Sequence, residues 1–137
     1  MKLSAKPLDL TLRHTFAISR ASSSVANNVL TRLEHENVFG FGEAAPIRFY
    51  GQSQQSCMLS LERMGKRLQE RSPFELEATL KDLRERFPKE PSAIASIDIA
   101  LHDLVGKRLG VPLWKFWGLD SRHAPQTSFT IGIDTLD

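Results

Sequence analysis

Cysteine is nearly missing from this 137-residue chain, in which Cys57 stands alone. A lone cysteine excludes an internal disulfide and any metal cage built on thiolates, so a reducing, cytoplasmic compartment is the simplest expectation. Long apolar runs are missing too. The opening "MKLSAKPLDL" holds no continuous apolar stretch of the export-signal kind, and no run approaches the roughly 18 to 20 apolar residues of a membrane span. No membrane partner is expected. Charge of one sign is not in excess either: 18 Lys and Arg against 16 Asp and Glu leave a net +2. The basic residues are interleaved with acids in "LERMGKRLQER" and "LKDLRERFPKE", the pattern of solvated helix faces and not of a nucleic-acid footprint. The glycines of "GFG" and "YG" lack the downstream helix and lysine of a phosphate loop. Repeats and low-complexity tracts are absent from the sequence.

What is present is ordinary for one soluble domain, with 41% hydrophobic and 25% charged residues. Strands come first. "LSAKPLDLTLRHTF" places Leu8, Leu10 and Leu12 on one face, and "NNVLTRLEHEN" does the same with Val29, Thr31 and Leu33. "VFGFGEAAP" is a third run, stopped by Pro46. These predict an antiparallel three-stranded meander with a long first loop over residues 17–26 and a tight turn near Glu36 and Asn37. The period then changes. Met58, Leu61, Met64, Gly65 and Leu68 recur at helical spacing, as do Leu76, Leu80, Leu83 and Phe87, with Pro88 and Pro91 ending the second helix. Ser92 is expected to cap a third helix with the stripe Ile94, Ile97, Leu101, Leu104 and Val105, closed by Gly110 and Pro112. Strands followed by a helical bundle give an α+β fold. The last run, "TSFTIGID", alternates Phe129, Ile131 and Ile133 with polar residues and reads as a strand with nothing in the sequence left to pair it.

Two stretches carry a resemblance. "FGEAAPIRFYGQS" after a meander and "ASIDIALHDLVGKRLGVPLWKFWGL" before a strand resemble the amino-terminal capping domain of the enolase superfamily, in its muconate-lactonizing branch. Their order, followed by "TSFTIGID", covers essentially the whole chain. "TFAISRASSS" with "YGQS" is most similar to the dipeptide epimerases that interconvert L-Ala-D-Glu and L-Ala-L-Glu. The resemblance implies a capping domain over residues 1–124 and, over 125–137, the first strand of a β/α barrel. A complete barrel takes about 200 to 250 residues, so the chain reads as part of such an enzyme and is expected to be inactive by itself. In the family, Mg²⁺ and a lysine base act together at a carbon acid next to a carboxylate. The acidic metal ligands and the lysines lie on later barrel strands, so no catalytic residue and no metal ligand is assigned to residues 1–137. The partners implied are a small-molecule substrate, a dipeptide, and further copies of the complete enzyme if it is a homo-oligomer. Alternatives are another enzyme of the branch, such as a muconate cycloisomerase or an o-succinylbenzoate synthase, and a stand-alone binding domain without catalysis.

Candidate substrate-binding residues lie in two loops, "TFAISRASSSV" and "IRFYGQS", which in the family close over the barrel mouth. Phe16, Ile18 and Tyr50 could form an apolar lid, or simply pack at a domain interface. Arg20 could hold a substrate carboxylate with its guanidinium fork, or be solvated. Thr130, on the polar side of the last strand, would face the site. Other groups carry plainer readings. Asp98 and His102, at i and i+4, could hold a metal on one helix face but read more simply as a surface pair. His14 and His35 read as strand residues at a sheet surface. Glu43 reads as a partly buried acceptor for backbone donors in the turn before Pro46. Trp114 and Trp117 are expected to pack under the third helix.

Overall fold

The computed structural model describes residues 1–18, 21–128, 130 and 133. Three antiparallel strands, β1 (Lys2–Ile18), β2 (Ala21–His35) and β3 (Val38–Ala44), form a meander in the order β1-β2-β3. Three helices follow, α1 (Gln54–Leu68), α2 (Leu76–Arg86) and α3 (Pro91–Leu109), then one turn of helix, α4 (Leu113–Phe116). Short 3-10 turns occupy Arg48–Tyr50 and Ser121–His123. This is the α+β architecture expected, with the helices on one face of the sheet.

The β1–β2 hairpin is longer than the sequence suggests. Pairing continues to Ile18 opposite Ala21, so residues 17, 18 and 21–26, expected in a loop, are strand. Their Ser- and Ala-rich composition hides the strand because backbone pairing, and not an alternating apolar face, holds it. The register shifts once: Thr11 pairs with Val25 and Phe16 with Ser23, so Leu12, Arg13, His14 and Thr15 lie opposite Ser24 alone. Such a bulge bends the strand and re-aims what lies beyond it. The second turn is as expected, with Glu36 and Asn37 both at positive φ, 47° and 64°.

The two sheet faces differ. Val29, Thr31 and Leu33 of β2 are fully buried under the helices, beside Gly40, Gly42 and Ala44 of β3 and Leu3 and Ala5 of β1. Leu8 and Leu10 pair with Asn28 and Ala26 on the opposite face, which no helix covers. Helix α3 lies closest to the sheet, and small residues make this possible. A Cβ on Gly42 would fall 1.9 Å from the Ser96 carbonyl oxygen, and one on Gly40 would fall 2.0 Å from that of Ala100. The "GFG" glycines therefore serve close packing of helix on strand. Thr31 and Ser96, both buried, satisfy each other through a 2.9 Å hydroxyl pair. On the outer edge of β3, Asp103 accepts from the Phe41 amide at 2.8 Å while Lys107 donates to the Phe39 carbonyl at 3.1 Å. One helical turn thus occupies backbone groups that an edge strand would otherwise present to another chain.

Helix α1 begins at a reciprocal cap: the Ser53 hydroxyl accepts from the Ser56 amide, and the Ser56 hydroxyl accepts from the Ser53 amide, both at 3.0 Å. Its buried face is Cys57, Ser60, Leu61, Met64 and Leu68. Burial, reinforced by the charge of Glu90, pushes the Cys57 thiol up to about 11, so it is no nucleophile at neutral pH. Ser92 does not cap α3. The helix starts at Pro91 behind Glu90, with no side-chain cap, because the Ser92 hydroxyl is engaged by Gln52 and the Ala45 carbonyl. At the other end Gly110 adopts the left-handed conformation, φ 66°, and closes the helix as its position suggests.

Helices α1 and α2 are joined by a bidentate bond from Arg67 to Asp82, at 2.9 and 3.2 Å, with Arg86 also donating to Asp82 at 2.7 Å. The hydrogen bonds from Arg67 and then Arg86 draw the Asp82 carboxyl down to about 2 from 3.8. A carboxyl lowered on folding stabilises the fold above its unfolded value and loses that contribution as pH falls through its folded value. Asp82→Asn should therefore cost about 1 kcal/mol at pH 7, solvent screening included. In denaturant titrations the gap between variant and parent should close as pH drops from 4 towards 2. A gap independent of pH would exclude the ion pair as its cause.

Candidate functional site

The two loops singled out from the sequence are held by different parts of the fold. The first is the tip of the β1–β2 hairpin, carried beyond the bulge. Phe16 lies there with 42% of its surface exposed, and Ile18 closes the ladder opposite Ala21. Arg20 lies outside the described residues. The chain returns to this tip after α4: the Ile133 amide donates to the Ala17 carbonyl at 2.9 Å. The stretch read as a last strand thus meets the hairpin tip, although half of it is outside the described residues. Its described members Thr127, Ser128, Thr130 and Ile133 are exposed and lie outside any helix or strand.

The second loop rests on the start of α3. Gln52 is 4% exposed. Its side chain accepts from the Ser92 hydroxyl at 2.6 Å and donates to the Lys89 carbonyl at 3.3 Å, and its amide donates to the Ile47 carbonyl at 3.3 Å. Gly51, at φ 72°, lets the chain reverse between the 3-10 turn and Gln52. Above this base Phe49 and Tyr50 stand out, each 69% exposed, with their rings edge to face at 5.2 Å. The loop is thus a fixed base carrying an exposed apolar tip. Sequence reading named Tyr50 as a candidate and passed over Gln52. Its signal, a polar residue between Gly51 and a helix cap, says nothing of the contact with Lys89 and Ser92 that buries it.

The remaining candidates settle into structural roles. His102 Nδ1 lies 2.9 Å from Asp98 Oδ1, and Arg84 reaches the other Asp98 oxygen at 3.8 Å, so this pair joins α3 to α2. Glu43 is not partly buried and does not serve the turn. With Gly42 and Ala44 facing the helices, alternation turns Glu43 outward, where it accepts from the Asn28 side-chain amide. Trp117 rests edge-on against His102 at 5.3 Å, but Trp114 and Trp117 both stay half-exposed and are not packed under α3. His14 and His35 lie in β1 and β2 as expected. Among the described residues no three His, Cys, Asp or Glu side chains gather as a metal would require. Asp98 and Asp103 are already engaged, by His102 and Lys107 respectively. The described side chains do not fit a Mg²⁺ site, and no step is assigned to one here. A surface concavity of about 340 Å³ between Asp103 and Leu113 lies at the end of α3, away from the Gln52 base of the second loop. None of the described helices is long and apolar enough to cross a membrane.

Comparison with known proteins gives these features their context. Residues 5–118 match the family described as mandelate racemase / muconate lactonizing enzyme, N-terminal domain. The chain is 42% identical over 137 residues, all of its length, to an L-Ala-D/L-Glu epimerase of Bacteroides thetaiotaomicron, of which it covers 36%. An L-Ala-D/L-amino acid epimerase of Maribacter is 34% identical over the whole chain, which covers 40% of it. In structure the fold is similar to the dipeptide epimerase of Cytophaga hutchinsonii complexed with Mg and the dipeptide D-Ala-L-Val. The TM-score is 0.90 at 25% identity, over 96% of this chain and 36% of that one. The chain therefore spans well under half the length of these relatives. The meander, the three helices and the match over residues 5–118 place the chain in the mandelate racemase / muconate lactonizing enzyme N-terminal domain family, the capping-domain fold of the enolase superfamily.

Proposed function

We propose that this chain is the capping part of a dipeptide epimerase acting on L-Ala-D/L-Glu or a close analogue, with residues 1–124 as the capping domain and 125–137 opening the barrel. The observation that carries this reading is the Ile133-to-Ala17 hydrogen bond, which sets the hairpin tip against the segment where a barrel would begin. Identity of 42% to an L-Ala-D/L-Glu epimerase supports the substrate class. In this reading Phe16, Ile18 and Tyr50 close over the dipeptide and exclude water, Arg20 holds a carboxylate, and Thr130 borders the site. Epimerisation removes and returns a proton alpha to a carboxylate, and no side chain of residues 1–137 is assigned to that step. The chain's own work is to bind, orient and shield.

A chimera tests this. Residues 1–137 joined to the part of the Bacteroides thetaiotaomicron epimerase that follows its matching segment should epimerise L-Ala-L-Glu, while residues 1–137 alone should show no exchange of the alpha proton in D₂O. A folded chimera that cycloisomerises muconate and leaves the dipeptide untouched would transfer the chain to another enzyme of the branch. Exchange by residues 1–137 alone would overturn the assignment of the chemistry to later strands.

A further inference from the structure

On the helix side of the sheet the row of Pro7 and Val29 is followed by Asp9 opposite Asn27, and only Thr11 and Val25 separate that row from the bulge. Beyond it the hairpin arm is open. Arg13, His14, Thr15 and Phe16 are exposed, as are Ser22, Ser23 and Ser24. The Asp9 row is held from α1: the Gln54 side-chain amide donates to Asp9 Oδ1 at 2.8 Å and to the Asn28 carbonyl at 2.7 Å, and the Asn27 amide donates to the same Asp9 oxygen at 2.9 Å. Both amide protons of Gln54 are thereby committed to the hairpin. The hydrogen bonds from Asn27 and then Gln54 hold the Asp9 carboxyl below its ordinary value, which keeps it an acceptor. Gln54 is the first residue of α1 and follows closely on Gln52, whose side chain is held by Lys89 and Ser92 at the start of α3. The short stretch behind Tyr50 is therefore bonded to α3 through Gln52 and to the hairpin through Gln54. The far end of the arm is tied separately, by the Ile133 amide to the Ala17 carbonyl.

We infer that Gln54 is a positioning residue that holds the hairpin arm and the Tyr50 turn at one fixed separation, as two halves of a single lid. Its effect on turnover rests on the epimerase reading; its effect on the separation does not. A bulge lets a strand bend, so an arm hinged at residues 12–15 needs a clamp on its near side if Phe16 and Tyr50 are to close together over a small substrate. Gln54→Ala removes the clamp and spares the fold, because Ser53 and Ser56 make the cap of α1 and alanine is a good helix former. The freed arm then spends part of its time away from the closed position, and substrate affinity falls by the fraction lost.

Two measurements test this. Spin labels on Ser22→Cys and Arg48→Cys in the 137-residue chain report the separation by double electron–electron resonance; the native Cys57 is buried and takes no label. The parent should give one narrow distance distribution and Gln54→Ala a clearly broader one. Gln54→Glu keeps the shape but turns a carboxylate on Asp9, so it should broaden the distribution too. Adding Asp9→Asn to it should narrow the distribution again, because the new amide donates to the new carboxylate. In the chimera, Gln54→Ala should raise KM for L-Ala-L-Glu about tenfold and leave kcat within about twofold. A loss of folded protein would do the reverse, lowering kcat with the active fraction at unchanged KM. Equal distributions in parent and Gln54→Ala, or a KM that Gln54→Ala does not move, would overturn the coupling. A parent chimera without epimerase activity would instead remove the epimerase reading, and the distance distributions alone would then decide the role of Gln54.

Discussion

Gly42→Ala should destabilise the chain by about 3 kcal/mol or more, a large fraction of what a domain of this size possesses. The added methyl would meet the Ser96 carbonyl oxygen at 1.9 Å, the Ser96 carbonyl carbon at 2.9 Å and the Ala100 amide nitrogen at 3.0 Å. All three are backbone atoms, so no rotamer change relieves the overlap, and α3 must lift from β3. Lifting α3 loosens the buried Thr31–Ser96 pair and the Asp103 and Lys107 bonds to the edge of β3. It also disturbs the start of the helix, where Ser92 and Lys89 hold Gln52 and so position the Tyr50 turn. Gly51→Ala is the control. It sits at φ 72° with nothing within 4 Å, so only backbone strain of about 1 kcal/mol opposes it. Thermal unfolding should place Gly42→Ala about 10 °C below the parent and Gly51→Ala only a few degrees below. Equal shifts in the two variants would show that α3 is not seated on the glycines.

The same glycines show where sequence reading reaches its limit. Helices α1 and α3 were legible because Leu61, Met64 and Leu68, or Ile97, Leu101 and Leu104, repeat at a spacing that has one structural meaning. The ends of α3 divide instructively. Gly110 marks its C-terminus through a conformation set by the residue itself, whereas Ser92, an equally standard capping residue, is recruited by Gln52 from 40 positions away. Strand faces were harder, since both faces of β1 carry apolar residues. Leu8, Leu10 and Leu12 outnumber Leu3 and Ala5, yet the latter pack against the helices. Counting apolar residues cannot choose a face when both faces carry them. The glycines in β3 would have settled it, because Gly40 and Gly42 require the helix on their side, and that places Glu43 and Phe41 outward. The second candidate loop was legible as a segment but not in its support, and the first is paired strand where a loop was expected. Neither the bulge that bends the hairpin nor the burial of Gln52 follows from a local pattern.

The largest functional effect is expected at Arg20, the only cationic residue between Phe16 and Val25. It falls in the sequence between Ile18 and Ala21, which pair at the end of the hairpin whose tip receives the Ile133 amide. In the proposed enzyme a dipeptide ending in Glu brings a second carboxylate under a closing, water-excluding loop, and an unpaired carboxylate there is costly. Loss of a charge-assisted contact in such a site costs about 2 to 4 kcal/mol, or roughly 30-fold to 1000-fold in kcat/KM. In the chimera, Arg20→Ala should therefore depress kcat/KM for L-Ala-L-Glu within that range and affect a dipeptide with an uncharged second side chain far less. Arg20→Lys separates charge from shape: partial recovery is expected, because an ammonium supplies the charge without the two-pronged geometry. Equal losses with both dipeptides would move the contact to the terminal carboxylate that they share. Unchanged kinetics with both, in a chimera that unfolds as the parent chimera does, would remove Arg20 from the site and leave Phe16, Ile18 and Tyr50 as an apolar lid without selectivity for Glu.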